Sequence, residues 1–255
     1  PDVIPGQPPA ARTAPALTGK PDPGATPPVS AERFARLRWR VHLNRHPSAI
    51  LLLVQLAGLL LYPFIEGRRA GNLLFGGFSV LVLCLAIAMV QHTRGRAWIS
   101  VGIALPAVIL NGLHAMRDLP ALLPWAAGLE ALFYFYAAAC LIAYMLADRR
   151  ATTDELFAAG ATFTLLAGAF TYLFVGCQAL QPGSFGVGAG GAPRSWTELT
   201  FLSFVLLSST GIGDIVPQSG QARALASLEI FVGIMYLALV VSRLIGLTVL
   251  ARRDR

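Results

Sequence analysis

Charge is scarce in this chain. Asp, Glu, Lys and Arg make up 13% of its 255 residues, whereas hydrophobic residues make up 55% and mean hydropathy is +0.63. A soluble domain carries about 25% charged residues. The shortfall is concentrated in long apolar runs, and a bilayer core needs about 20 mostly apolar residues per helix. A soluble globular protein is therefore excluded, and an integral membrane protein is expected. Cysteine is equally sparse. Cys84, Cys140 and Cys177 lie within or at the edge of apolar spans with no CxxC spacing. They read as buried helix- or lipid-facing thiols, not as a disulfide framework or metal site. Paired carboxylates, a His-rich ligand cluster and a nucleophile with an obvious base are missing from every span. The residues do not point to an enzyme, and no cofactor is expected.

What is present is basic. Formal charge is +7 and the sequence pI about 9.9. The basic residues flank apolar spans, the pattern of cytoplasmic Lys and Arg retention, so nucleic acid is not an expected partner and membrane lipid is. Residues 1–30 are rich in Pro, Ala and Gly and lack the apolar centre of a signal peptide; they read as a disordered tail. Residues 31–47 interleave Arg33, Arg36, Arg38, Arg40 and Arg45 with aromatic and aliphatic residues. This segment reads as an amphipathic juxtamembrane stretch at the cytoplasmic face or as a topogenic flank.

Six spans follow, at roughly 48–65, 72–90, 97–115, 121–146, 156–178 and 224–249. A cytoplasmic N-terminus leaves 91–96, 148–155 and 252–255 inside, with Arg94, Arg96, Arg149, Arg150, Arg252, Arg253 and Arg255. The outside loops hold Arg68 and Arg69 against Glu66, and Arg117 against Asp118. This asymmetry predicts a multi-pass protein of the cell membrane with both termini cytoplasmic.

Between the last two spans, the Gly-rich loop 181–191 is followed by the apolar run 199–207. Ser195 with Glu198 forms a capping-box pattern. A helix over 195–207 would be about 20 Å long, too short to cross. A re-entrant half-helix of this kind survives at membrane depth only when buried in protein or lining a watery cavity. It points to a pore.

The half-helix runs into Ser208-Ser209-Thr210-Gly211-Ile212-Gly213-Asp214-Ile215-Val216-Pro217. A short Gly-x-Gly alone is compatible with a tight turn after a helix. Here it lies between two apolar spans, directly after a half-helix, with a proline three residues beyond the acid. Over about 156–249 the chain resembles the potassium-channel pore family, whose filter reads Thr-Val-Gly-Tyr-Gly-Asp. The matching positions are Ser209, Thr210, Gly211, Ile212, Gly213 and Asp214. The resemblance implies that carbonyls of Ser209, Thr210, Gly211 and Ile212, with the Ser209 hydroxyl, replace the water shell of K+. Gly211 and Gly213 accept the positive φ that such a strand needs. One loop per chain supplies a quarter of each ring, so the resemblance implies a homotetramer passing monovalent cations.

The chain departs from the family where Ser209 replaces threonine and Ile212 replaces an aromatic residue. The bracing tryptophans are matched by Phe201 and Leu202, which donate no side-chain hydrogen bond. Support for the filter is then expected from Asp214 and from apolar packing of Ile212 on the pore helix. Gly233 matches the family's inner-helix hinge, and Ile234, Leu237, Val241 and Ile245 are its pore-lining positions. Arg243, read as the charged residue of this span, lies near the cytoplasmic end and is expected off-axis in a structural role. The fourth span contains Glu130 and no Arg or Lys, so voltage sensing through it is not expected. Glu130 and His114 are expected to be buried between helices, and Pro106 to kink the third span. Only six residues follow Val249, and no ligand-binding domain is expected among them.

The expectation is an all-α membrane protein of six transmembrane helices plus a re-entrant pore helix and filter loop. Residues 48–150 form a four-helix peripheral domain, and 151–255 a pore domain. The latter comprises an outer helix 156–178, pore helix 195–207, filter 209–214 and inner helix 224–249. Four subunits surround a pore that conducts K+ passively. The alternatives are a weakly selective cation channel on the same fold and a non-conducting membrane partner subunit.

Overall fold

The computed structural model of the chain describes residues 47–65, 97–117, 120–147 and 153–253. The tail 1–30, the basic segment up to residue 46, the expected span 72–90 and Cys84 lie outside the described residues. The described residues are mostly helical. Helix α1 is Pro47–Ile65, α2 is Ala97–Arg117 and α3 is Leu123–Ala147, the last preceded by a 3-10 turn at Pro120–Leu122. Helix α4 is Thr153–Leu180, α5 is Trp196–Leu207 and α6 is Gly220–Arg253. Among the described residues, α1, α3, α4 and the first 24 residues of α6 are long and apolar enough to cross a membrane. Helix α2 occupies the third expected span and contains Pro106. Helix α5 is apolar but short, with 12 residues.

Helix α4 is the hub of the described structure, packing against α1, α3, α5 and α6. Small residues make this possible, because apolar helices in lipid gain most from close backbone approach. Ala158, Ala161, Ala167 and Ala169 of α4 are buried, as are Ala127, Ala131, Ala137 and Ala138 of α3. The buried positions of α3 recur every three or four residues from Ala126 to Met145, one face of a helix. A Cβ at Gly168 would come within 3.0 Å of the Tyr134 ring, so glycine admits the tyrosine there.

Polar contacts fix the helix register. Ser48 donates from its hydroxyl to Asp154 at 2.9 Å, and Tyr144 donates to the same carboxylate at 3.3 Å. The Thr164 hydroxyl donates to the Gln55 side-chain oxygen at 2.6 Å. The Tyr236 hydroxyl donates to the Ala159 carbonyl at 2.6 Å, tying α6 to α4. Asp154 and Glu155 were expected in a loop, but they form the first turn of α4. Acids there complement the positive end of the helix dipole. Glu130 is buried, as expected.

Candidate functional site

The loop entering α5 is closed on itself. Gln178, near the end of α4, donates from Nε2 to the Arg194 carbonyl and accepts the Arg194 N–H, each at 3.0 Å. Arg194 also donates to the Phe185 carbonyl at 3.2 Å and pairs with Glu198 at 2.7 Å. The Ser195 hydroxyl accepts the Glu198 N–H, while Glu198 accepts the Ser195 N–H at 2.8 Å, completing the expected capping box. Burial pushes the Glu198 carboxyl up. The Ser195 N–H, the hydrogen bond and charge of Arg194 and the Ser195 hydroxyl outweigh that and hold it below its ordinary value. Trp196 opens α5 against the edge of the Tyr62 ring of α1.

One side of α5 enters an apolar cluster. Leu199 and Leu202 join Phe174, Phe185, Ile215 and Ala222 there. Phe201 points away and is 40% exposed in the single chain. The two proposed brace positions therefore differ. Leu202 shares its cluster with Ile215, the residue after Asp214, while Ile212 is 60% exposed and the cluster does not include it. The Asp214 carboxylate accepts the Ile215 N–H at 2.8 Å.

Helix α5 ends in a specific way. The Ser209 N–H donates to the Leu206 carbonyl and the Thr210 N–H to the Val205 carbonyl, both at 3.0 Å. This crossed pair is the Schellman arrangement, which needs a left-handed residue just past the helix. Ser209 fills that position with φ +56°. Gly211 follows with φ +69° and Gly213 with φ +77°, whereas Thr210 and Ile212 do not have positive φ. Left-handed residues thus alternate through 209–213. Residues 208–214 are exposed in the single chain. The Ser208 and Thr210 hydroxyls are 2.7 Å apart and share a hydrogen bond.

Helix α6 runs unbroken past Gly233. A Cβ at Gly233 would overlap the Leu207 carbonyl at the end of α5. The glycine therefore has a packing role at the crossing of the two helices. Ala222, Ala226, Glu229, Gly233 and Tyr236 form the buried face of α6. Ile234, Leu237 and Val241 lie on the exposed side. Ile245 is helical, with its side chain outside the described set. Arg243 pairs with Glu155 of α4 at 3.2 Å.

Sequence reasoning passed over Glu229. It is fully buried on α6 and in hydrogen-bond contact with Ser203 of α5. The available signal was an acid inside an apolar span, which is functional by default.

Residues 159–249, from α4 through the loop to α6, match a family model described as an ion channel. No curated protein and no solved structure matches the chain. The match supports an ion channel and, with the apolar helices, a multi-pass membrane protein. It points to transport and away from catalysis.

Proposed function

We propose that this chain is one subunit of a homotetrameric potassium channel of the cell membrane, with six spans per subunit and both termini cytoplasmic. The reading is carried by one observation: left-handed backbone at Ser209, Gly211 and Gly213, directly after the half-helix α5. Alternating hand at successive residues turns consecutive carbonyls toward one side, so Ser209, Thr210, Gly211 and Ile212 present a column of oxygens. Four columns around a common axis replace the hydration shell of a monovalent cation. The exposure of 208–214 in a single chain favours this arrangement, because a filter finds its neighbours in other subunits. The exposed apolar side chains of Ile234, Leu237 and Val241 suit the wall of a vestibule below the filter, which Ile245 would continue. Ions run down their gradient, so no cofactor is needed.

The test is flux from liposomes holding the full chain. Wild type passes K+, while Gly211→Ala inserts normally and passes none, since φ +69° strains any side chain. Retained flux in the variant refutes the filter assignment. Absent wild-type flux from an intact tetramer favours a non-conducting partner subunit.

Ser209 and Ile212, standing where the family has threonine and an aromatic residue, with Phe201 and Leu202 donating no side-chain hydrogen bond, favour a second reading, a weakly selective cation channel on the same fold. Without a brace, the oxygen rings adapt more easily to a smaller ion. Reversal potentials in mixed K+ and Na+ separate the two readings.

A further inference from the structure

Glu229 lies on a helix read as crossing the bilayer, and its side chain is fully buried. Ser203 Oγ is in hydrogen-bond contact with Glu229 Oε1 and lies 2.8 Å from the Ala167 carbonyl oxygen of α4. A serine hydroxyl has one hydrogen to give and two lone pairs that accept. A carbonyl can only accept, and the Ala167 oxygen already takes the Thr171 hydroxyl at 2.8 Å. If Ser203 gave its hydrogen to a Glu229 carboxylate, its contact with Ala167 would set lone pair against lone pair. If Glu229 carries a hydrogen, both contacts become bonds: Glu229 O–H to Ser203 Oγ, then Ser203 O–H to the Ala167 carbonyl.

A second observation agrees. Glu229 Oε2 is buried with no hydrogen-bond partner among the described residues. A charged oxygen left so would be far more costly than the carbonyl oxygen of a neutral acid. Among the described residues, the charges on α6, α5 and α4 are engaged elsewhere. On α6, Arg223 donates to the Pro217 carbonyl and Arg243 pairs with Glu155. On α5, Glu198 pairs with Arg194. On α4, Asp154 is bonded by Ser48 and Tyr144, and the remaining titratable side chains are Tyr172 and Cys177.

The contact has a counterpart one turn on. Ser203 meets Glu229, and Leu207 meets Gly233, four residues later on each helix. The first contact is a hydrogen bond and the second a close steric fit. Together they fix both the height and the rotation of α5 against α6, directly behind the residues that lead into 209–213.

Resting on the channel reading above, we propose that Glu229 is a positioning residue of the filter. It is held as a neutral carboxylic acid whose hydrogen closes a Glu229–Ser203–Ala167 bridge binding α6, α5 and α4 together.

Infrared spectra of the full chain in lipid test the protonation. A carboxylic C=O band is expected that disappears in Glu229→Gln and shifts in Ser203→Ala, which leaves the acid without its acceptor. Loss of carboxylate intensity in Glu229→Gln, with the C=O region unchanged, overturns the proposal; so does an unshifted band in Ser203→Ala. The positioning role is read from the K+/Na+ permeability ratio. Glu229→Gln, whose amide N–H replaces the acid O–H, keeps the ratio within about twofold, while Ser203→Ala and Glu229→Ala lower it about fivefold, the scale of one lost hydrogen bond. A Glu229→Gln channel as impaired as Glu229→Ala overturns the role. The infrared arm needs no conduction, so failure of the channel reading and failure of this proposal give different results.

Discussion

The Leu207 carbonyl at the end of α5 occupies the space that a methyl group on Gly233 of α6 would need. The obstacle is backbone, which cannot swing aside like a side chain. Gly233→Ala must therefore separate the two helices, at about 1–3 kcal/mol for overpacking. A lower melting temperature in detergent and loss of K+ flux are expected. A glycine serving only as a hinge would leave thermal stability unchanged.

Ser209 holds a left-handed conformation that costs a non-glycine residue about 1–2 kcal/mol. Ser209→Gly removes that strain and also the hydroxyl assigned to the innermost ion ring. The melting temperature in Na+ should rise, and, on the proposed channel reading, wild type should gain stability in K+ by an increment that shrinks in the variant. An unchanged K+ increment would remove the hydroxyl from the ion site.

Arg243 and Glu155 form a largely shielded ion pair, with side chains 16% and 4% exposed. Removing one partner of a buried pair costs about 3 kcal/mol, chiefly by stranding the other charge. Arg243→Met and Glu155→Leu should each destabilise more than half as much as the double variant. A double-mutant cycle on thermal unfolding measures the coupling, and strictly additive effects would contradict the pairing.

Glu198 gives the loop entering α5 an acid limit. Its carboxyl is held below its ordinary value. The stabilisation is therefore complete above the unfolded-state value of about 4.3 and declines as pH falls through the lower folded value. The stability difference between wild type and Glu198→Gln should be flat above that point and narrow in stronger acid. Melting temperatures across a pH series check the sign.

Local signals carried the half-helix. Ser195 and Glu198 are three residues apart, and their reciprocal bonds form as that spacing predicts. Gly211 and Gly213 were legible because positive φ selects glycine. Ser209 was not, since serine carries no such mark and its hand is imposed by the way α5 stops. Gly233 could be read as special but not why: its neighbour Leu207 is 26 residues away and meets it only after folding. Glu229 was hidden by the apolar residues around it, and its meaning depends on Ser203 and Ala167 from two other helices. Asp154 and Glu155 resembled a charged loop because their partners, Ser48 and Arg243, are remote in the chain.

The Gln178–Arg194 amide clasp makes the segment between them a closed ring at its base. Its tip, beyond the Gly188–Ala192 hydrogen bond of 2.8 Å, is exposed. Lengthening such a loop adds little closure entropy. Changes of length or chemistry at Gly190 and Gly191 would end at the clasp before reaching α5. The exposed tip of the loop can thus diversify while α5 keeps its footing.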